Sequence, residues 1–122
     1  MEYSPEVKRR LKLPERAGLM PDPASPFVMG DAEDRSLNVW VRFQVQLHDG
    51  TIGAVRFEAY GCPHFVAAAD WHAERLEGCP SGALAEPDTR AVRDALDVPT
   101  EKFGKLLVIE NALVACATEV AA

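Results

Sequence analysis

The stretch AYGCPHFVAAAD, Ala59 to Asp70, decides how this chain is read. Before it, apolar residues alternate one by one, and after it they recur every three to four positions. A period of two marks a strand with one buried face, and the longer period marks an amphipathic helix. Gly61 permits a sharp change of direction, and Pro63 suits the first position of a helix. Cys62 therefore stands at or beside a helix N-cap. There the free amide groups and the helix dipole favour a thiolate over a thiol. A thiolate so placed is a good nucleophile and a good soft-metal ligand. A small apolar cap residue packed under the sheet edge satisfies the same pattern, and geometry leaves both readings open. His64, two residues on, supplies either positive charge or a second ligand.

Upstream, SLNVWVRFQVQL places Leu37, Val39, Val41, Phe43, Val45 and Leu47 opposite Asn38, Trp40, Arg42, Gln44 and Gln46, which is a strand with one buried face. His48-Asp49-Gly50 has turn chemistry, and Thr51 to Tyr60 resumes the alternation with Val55, Phe57 and Ala59. This predicts an antiparallel hairpin with Gly53 as a candidate bulge. Downstream, Phe65, Ala69, His72 and Leu76 share one stripe of a helix that ends at Gly78. CPSGALAEP, residues 79–87, reads as loop. Thr89 to Leu96 predicts a second helix. A third runs from about Thr100 to the end, with Phe103, Leu106, Leu113, Cys116 and Val120 along one side.

At the front, residues 4–12 predict a short helix capped by Ser4 with Pro5 at its first position. PERAGLMPDPASPFVMGDAEDRS, residues 14–36, is dense in proline, glycine and acids and reads as an extended, mobile segment with no packed element. Strands first and helices afterwards predict an α+β domain, an antiparallel sheet with helices packed on one face. At 122 residues the chain is expected to be a single domain.

Thirteen basic and nineteen acidic residues give a net charge of −6, which disfavours nucleic acid and anionic membrane as partners. No run approaches the roughly 20 apolar residues of a membrane span. MEYSPEVKRRLK lacks an apolar signal core, so a cytoplasmic protein with reduced thiols is expected. The three cysteines, Cys62, Cys79 and Cys116, form no CxxC pair, which removes structural zinc and thioredoxin-type motifs. Cys116 sits on an apolar helix stripe and reads as core. Cys79 follows a helix stop and reads as an exposed thiol. No Ser-His-Asp constellation, phosphate loop or HExxH helix is present, so an enzyme is not expected.

MEYSPEVKRRLKLPERAG, MGDAED, VRFEAYGC and DVPTEKFGKLLVIENAL follow one another in an order that resembles the iron–sulfur cluster assembly scaffold family, IscU and the N-terminal domain of NifU. The resemblance runs nearly end to end, and Tyr60-Gly61-Cys62 is its most specific piece. It implies the SufE/NifU-like two-layer fold. It also implies sulfur supplied by a cysteine desulfurase, and a cluster passed to client apo-proteins with chaperone help. Family scaffolds hold a 2Fe–2S cluster on three cysteines and an aspartate, sometimes with a histidine. Here the aspartate is Asp31 and the second cysteine is Cys62, while Met29 stands at the first cysteine and Gly104-Lys105 at the His-Cys pair. The chaperone-binding element reads Val98-Pro99-Thr100-Glu101-Lys102.

A 2Fe–2S cluster needs four terminal ligands, so the resemblance implies a degenerate site. Cys62, Asp31 and His64 are its candidate ligands for iron or a cluster, with Cys62 and Asp31 the metal-binding pair. Cys62 and Lys105 are its reactive residues, with Lys105 favouring a thiolate or persulfide anion by charge. The implied acts are persulfide acceptance by Cys62, as in SufE-type acceptors, or a cluster shared across a homodimer. The alternative is an adaptor that docks on a desulfurase or client, with Cys62 a structural cap.

Overall fold

The computed structural model describes residues 2–22 and 24–121; Met1, Pro23 and Ala122 lie outside the described residues, and with them the final position of the helix expected to run to the end of the chain. The order is α1 (Pro5–Lys12), β1 (Phe27–Asp34), β2 (Val39–His48), β3 (Thr51–Tyr60), α2 (Pro63–Leu76), α3 (Thr89–Leu96) and α4 (Phe103–Ala121). Short 3₁₀ turns at Ser81–Ala85 and Thr100–Lys102 precede α3 and α4. The strands form one antiparallel sheet in the order β1-β2-β3. α2 packs on β3, α4 on β1 and β2, and α1 bridges α2 and α3. This is the α+β architecture the sequence predicts.

The hairpin forms where the alternation places it. Asp49 and Gly50 take positive φ of 51° and 80°, the two-residue connection whose twist matches paired strands. Val45 pairs with Val55 but Leu47 with Ile52, so one extra residue is accommodated on β3 at Gly53-Ala54, the expected bulge. Val39, Val41, Phe43 and Val45 face Val55 and Phe57 into the core, where they meet Phe65 of α2 and Leu106, Ile109 and Leu113 of α4. Cys116 is fully buried there, and burial, aided by the charges of Glu119 and Asp31, pushes its thiol up to about 12.

The segment read as mobile departs from expectation. Its second half is β1, registered against β2 from Phe27↔Gln46 to Asp34↔Val39. The cause is Gly30: a Cβ there would lie 2.5 Å from the Ala112 carbonyl oxygen and 2.6 Å from the Cys116 nitrogen. Without a side chain, β1 seats directly on the backbone of α4. Its first half is tied down as well. The Phe57 N–H donates to the Arg16 carbonyl and the Gly18 N–H to the Phe57 carbonyl. The buried Met20 donates its N–H to Gln44 Oε1 at 2.8 Å. The loop at 79–87 likewise contains a 3₁₀ turn that buries Leu84.

The N-terminal helix is anchored through charge. Arg10 and Asp70 are 4% and 3% exposed and pair at 2.7 Å. Arg10 also reaches Glu6 and Glu74, and Asp70 accepts the Arg16 N–H. Nearby on α2, His72 is buried, and its Nε2 has no hydrogen-bond partner among the described residues. Burial brings its pKa down to about 4, helped by Arg75 and opposed by Asp88. Among the described residues no helix is long and apolar enough to cross a membrane.

Candidate functional site

β3 stops at Tyr60, and Gly61 lets the chain fold back over the first turn of α2. A Cβ at Gly61 would sit 2.7 Å from the Phe65 ring and 3.1 Å from Val39 Cγ1, closer than packed atoms tolerate. Cys62 follows as N-cap in extended conformation, with Pro63 opening the helix. Its thiol is half-buried and closes no full capping hydrogen bond.

A second element meets it. Pro99 ends the α3–α4 connection, and the 3₁₀ turn after it closes through the Lys102 N–H donating to the Pro99 carbonyl at 2.9 Å. Lys102 is thereby turned back over the start of α2. Its Nζ lies 3.8 Å from Cys62 Sγ and 3.1 Å from His64 Nδ1. An ammonium can only donate, so Nδ1 accepts and the imidazole carries its proton on Nε2. Tyr3 packs edge-on against the buried His64 ring with centroids 4.8 Å apart, and Lys102 Nζ is 5.6 Å from the Tyr3 ring centre. Ser4 holds Tyr3 in place by donating its hydroxyl to the Leu96 carbonyl at 2.8 Å.

Burial alone would raise the Cys62 pKa. The Phe65 amide, the charges of Lys102 and Lys105, and the His64 amide outweigh it and hold the thiol below its ordinary value. His64 is also held below its ordinary value, by burial first and then by Lys102 and Lys105, against the opposing carboxylates of Asp97 and Glu101. The site is thus a half-open sulfur at a helix start, with an ammonium beside it that also donates to a neutral imidazole.

The residues expected from sequence are gathered unequally. Cys62 and His64 are together. Lys105 acts on both through charge, but direct contact belongs to Lys102. Asp31 stands on the opposite face of the sheet from Gly30, paired with Arg42 at 3.2 Å and half exposed. Met29, two residues earlier on the same face, accepts from Gln44 Nε2 at 3.8 Å. Cys79 donates its thiol to the Arg75 carbonyl, near the far end of α2. Among the described residues no three His, Cys, Asp or Glu side chains converge on a point where a metal ion would sit.

The donors therefore do not fit a 2Fe–2S cluster, which takes four terminal ligands. They amount to one thiol, one imidazole nitrogen already accepting from Lys102, and a carboxylate on β1 engaged by Arg42. Sequence reasoning missed Lys102 as a site residue because it was read only as the last position of a chaperone-binding element. The legible signal is Pro99 three residues before it, which starts a turn ahead of α4.

No protein-family model and no curated protein sequence matches this chain. Solved structures do match it in fold. A protein from Fervidobacterium islandicum AW-1, described as an iron–sulfur cluster assembly scaffold for the SUF system, superposes with a TM-score of 0.72 at 16% identity, over 94% of this chain and 96% of that one. A nitrogen-fixing NifU-like protein (N-terminal) from Brucella abortus gives 0.71 at 13% identity, over 97% and 93%. A hypothetical protein gives 0.58 at 16%, over 93% and 87%. The chain has the fold of SUF-type and NifU N-terminal scaffold domains, as its sequence resemblance implies. At these identities the likeness is one of fold.

Proposed function

We propose that this chain is a scaffold-like accessory protein of iron–sulfur assembly that accepts sulfur as a persulfide on Cys62. The observation that carries the reading is the placement of Cys62: a half-exposed thiol at the α2 N-cap whose anion is favoured by the first-turn amides and two lysines. The shared fold and the sequence resemblance support the pathway, and a cysteine desulfurase is the donor that the resemblance implies. Cys116 is fully buried and Cys79 lies beyond the other end of α2, which leaves Cys62 as the thiol for the task.

The step is a thiolate exchange. The Cys62 thiolate attacks the terminal sulfur of a donor persulfide, R–S–SH. The donor S–S bond breaks as the new one forms, and the donor leaves as the thiolate R–S⁻ with the electron pair. The proton on the transferred sulfur then passes to that departing thiolate, leaving the Cys62 persulfide anion and R–SH. No oxidant or reductant is consumed.

The test is anaerobic incubation with glutathione persulfide, followed by intact-mass measurement. The wild-type chain gains one sulfur atom, Cys79→Ser does the same, and Cys62→Ser gains none. No gain in the wild type, or an equal gain in Cys62→Ser, would falsify the proposal.

A further inference from the structure

The fold family implies a metal or cluster at this position, and the residues present do not suit one. We infer that Lys102 fills that place as a built-in cation, so that the site holds an anionic sulfur group without a metal ion. The inference rests on the sulfur-accepting reading of Cys62 and adds the group that receives the charge.

Geometry carries it. The ammonium lies 3.8 Å from Cys62 Sγ and 3.1 Å from His64 Nδ1, in contact with both candidate metal donors of the site. A divalent cation bridging the same sulfur and the same nitrogen would have to displace a resident positive charge and break its hydrogen bond. The rest of a coordination sphere is also lacking: Asp31 is committed to Arg42, and no third donor converges among the described residues. A transferred sulfur suits the site better. An S–S bond is about 2 Å long, so the terminal sulfur of a Cys62 persulfide projects past Sγ by one short bond. The four-carbon stem of Lys102 lets its ammonium follow that sulfur to hydrogen-bond distance. Such a charge-assisted contact is among the stronger ones a protein makes.

The surroundings keep Lys102 in reach. Tyr3 offers its ring to the ammonium, His64 accepts from it, and the turn after Pro99 fixes its backbone. Lys105 adds field without contact. Lys102 thus acts on the incoming sulfur, and His64 and Tyr3 position Lys102.

The experiment follows sulfur uptake from glutathione persulfide by rapid-quench mass spectrometry in wild type, Lys102→Gln, Lys102→Arg and Lys105→Gln, each with and without EDTA. The expected result is a wild-type rate that EDTA leaves unchanged, a roughly tenfold slower Lys102→Gln, and a Lys102→Arg restored to near the wild-type rate. Lys105→Gln stays within about threefold of wild type, as befits a charge without contact. Urea midpoints of the variants separate loss of charge from loss of fold, and the EDTA arm on the wild type needs no variant at all. Wild-type uptake that stops on chelation and returns with zinc overturns the inference, as does a folded Lys102→Gln as fast as wild type. A wild type that takes up no sulfur under any condition overturns the sulfur-accepting reading and this inference together. Uptake that ignores Lys102 overturns the inference alone.

Discussion

Helix α2 makes two contacts that carry charge, and they are built in opposite ways. The Arg10–Asp70 pair is shut off from water, and both partners are saturated, by Glu6 and Glu74 on one side and the Arg16 N–H on the other. The Lys102–Cys62 contact is half-open and long, and the sulfur closes no full hydrogen bond of its own. A saturated buried network has nothing to gain from a newcomer, and losing one member leaves a charge stranded. An open contact between a cation and a soft sulfur can take up another anionic atom with little rearrangement. The middle of α2 is therefore used to hold the N-terminal segment, and its N-terminal end is left free for chemistry.

The largest effect is expected at the closed pair in mid-helix. Asp70→Ala is expected to lower stability by about 3 kcal/mol in urea unfolding, because it removes the buried carboxylate on Arg10, leaving only the more exposed Glu6 and Glu74, and takes the acceptor from the Arg16 N–H. The sulfur uptake of the folded fraction should stay unchanged. A loss below about 1 kcal/mol would mean that the pair behaves like a surface salt bridge, and the contrast would fail.

His72 sharpens the same contrast, since it is a buried ionisable group on α2 whose Nε2 has no hydrogen-bond partner among the described residues. Its folded pKa of about 4 lies below the ordinary 6.5, so the unfolded chain binds the extra proton first. Stability is thus full above pH 6.5 and falls as the pH drops toward 4, by about 3 kcal/mol in all. Asp88 and Arg75 are the charged groups that act on it, in opposite directions. Urea midpoints between pH 7 and 4.5 should fall more steeply for wild type than for His72→Leu. Equal slopes would show that carboxylates alone drive the acid sensitivity.

The smallest effect belongs to the open end. Cys62→Ser should change stability by about 0.5 kcal/mol or less, the range of substitutions outside packed or networked positions. A larger loss would mark Cys62 as a structural cap, as the adaptor reading holds.

Much of this was legible in the sequence, and what was not has physical causes. The hairpin and α2 declare themselves because their buried faces are made of large apolar residues at the right period. β1 hides because its helix-facing residues are Val28, Gly30 and Ala32, too small to show alternation, while acids crowd its other face. Pattern reading rewards bulk, and here the decisive residue is the one with no side chain. At the site, Gly61-Cys62-Pro63 was readable as a local signal. Lys102 was not, because its meeting with Cys62 spans forty positions and depends on how a three-residue turn aims a side chain. Lys105 was favoured by its place in the family pattern, yet the contact falls one turn earlier. The pairing of Asp31 with Arg42 depends on strand register and was equally out of sight.

Everything proposed for this site depends on a setting that favours the Cys62 anion. The most direct measurement is the rate of Cys62 alkylation by iodoacetamide in the native chain across pH 5 to 10, read peptide by peptide by mass spectrometry. The expected result is a Cys62 midpoint below the ordinary cysteine value of about 8.5, shifting upward in Lys102→Gln. A midpoint at or above that value, indifferent to Lys102, would contradict it.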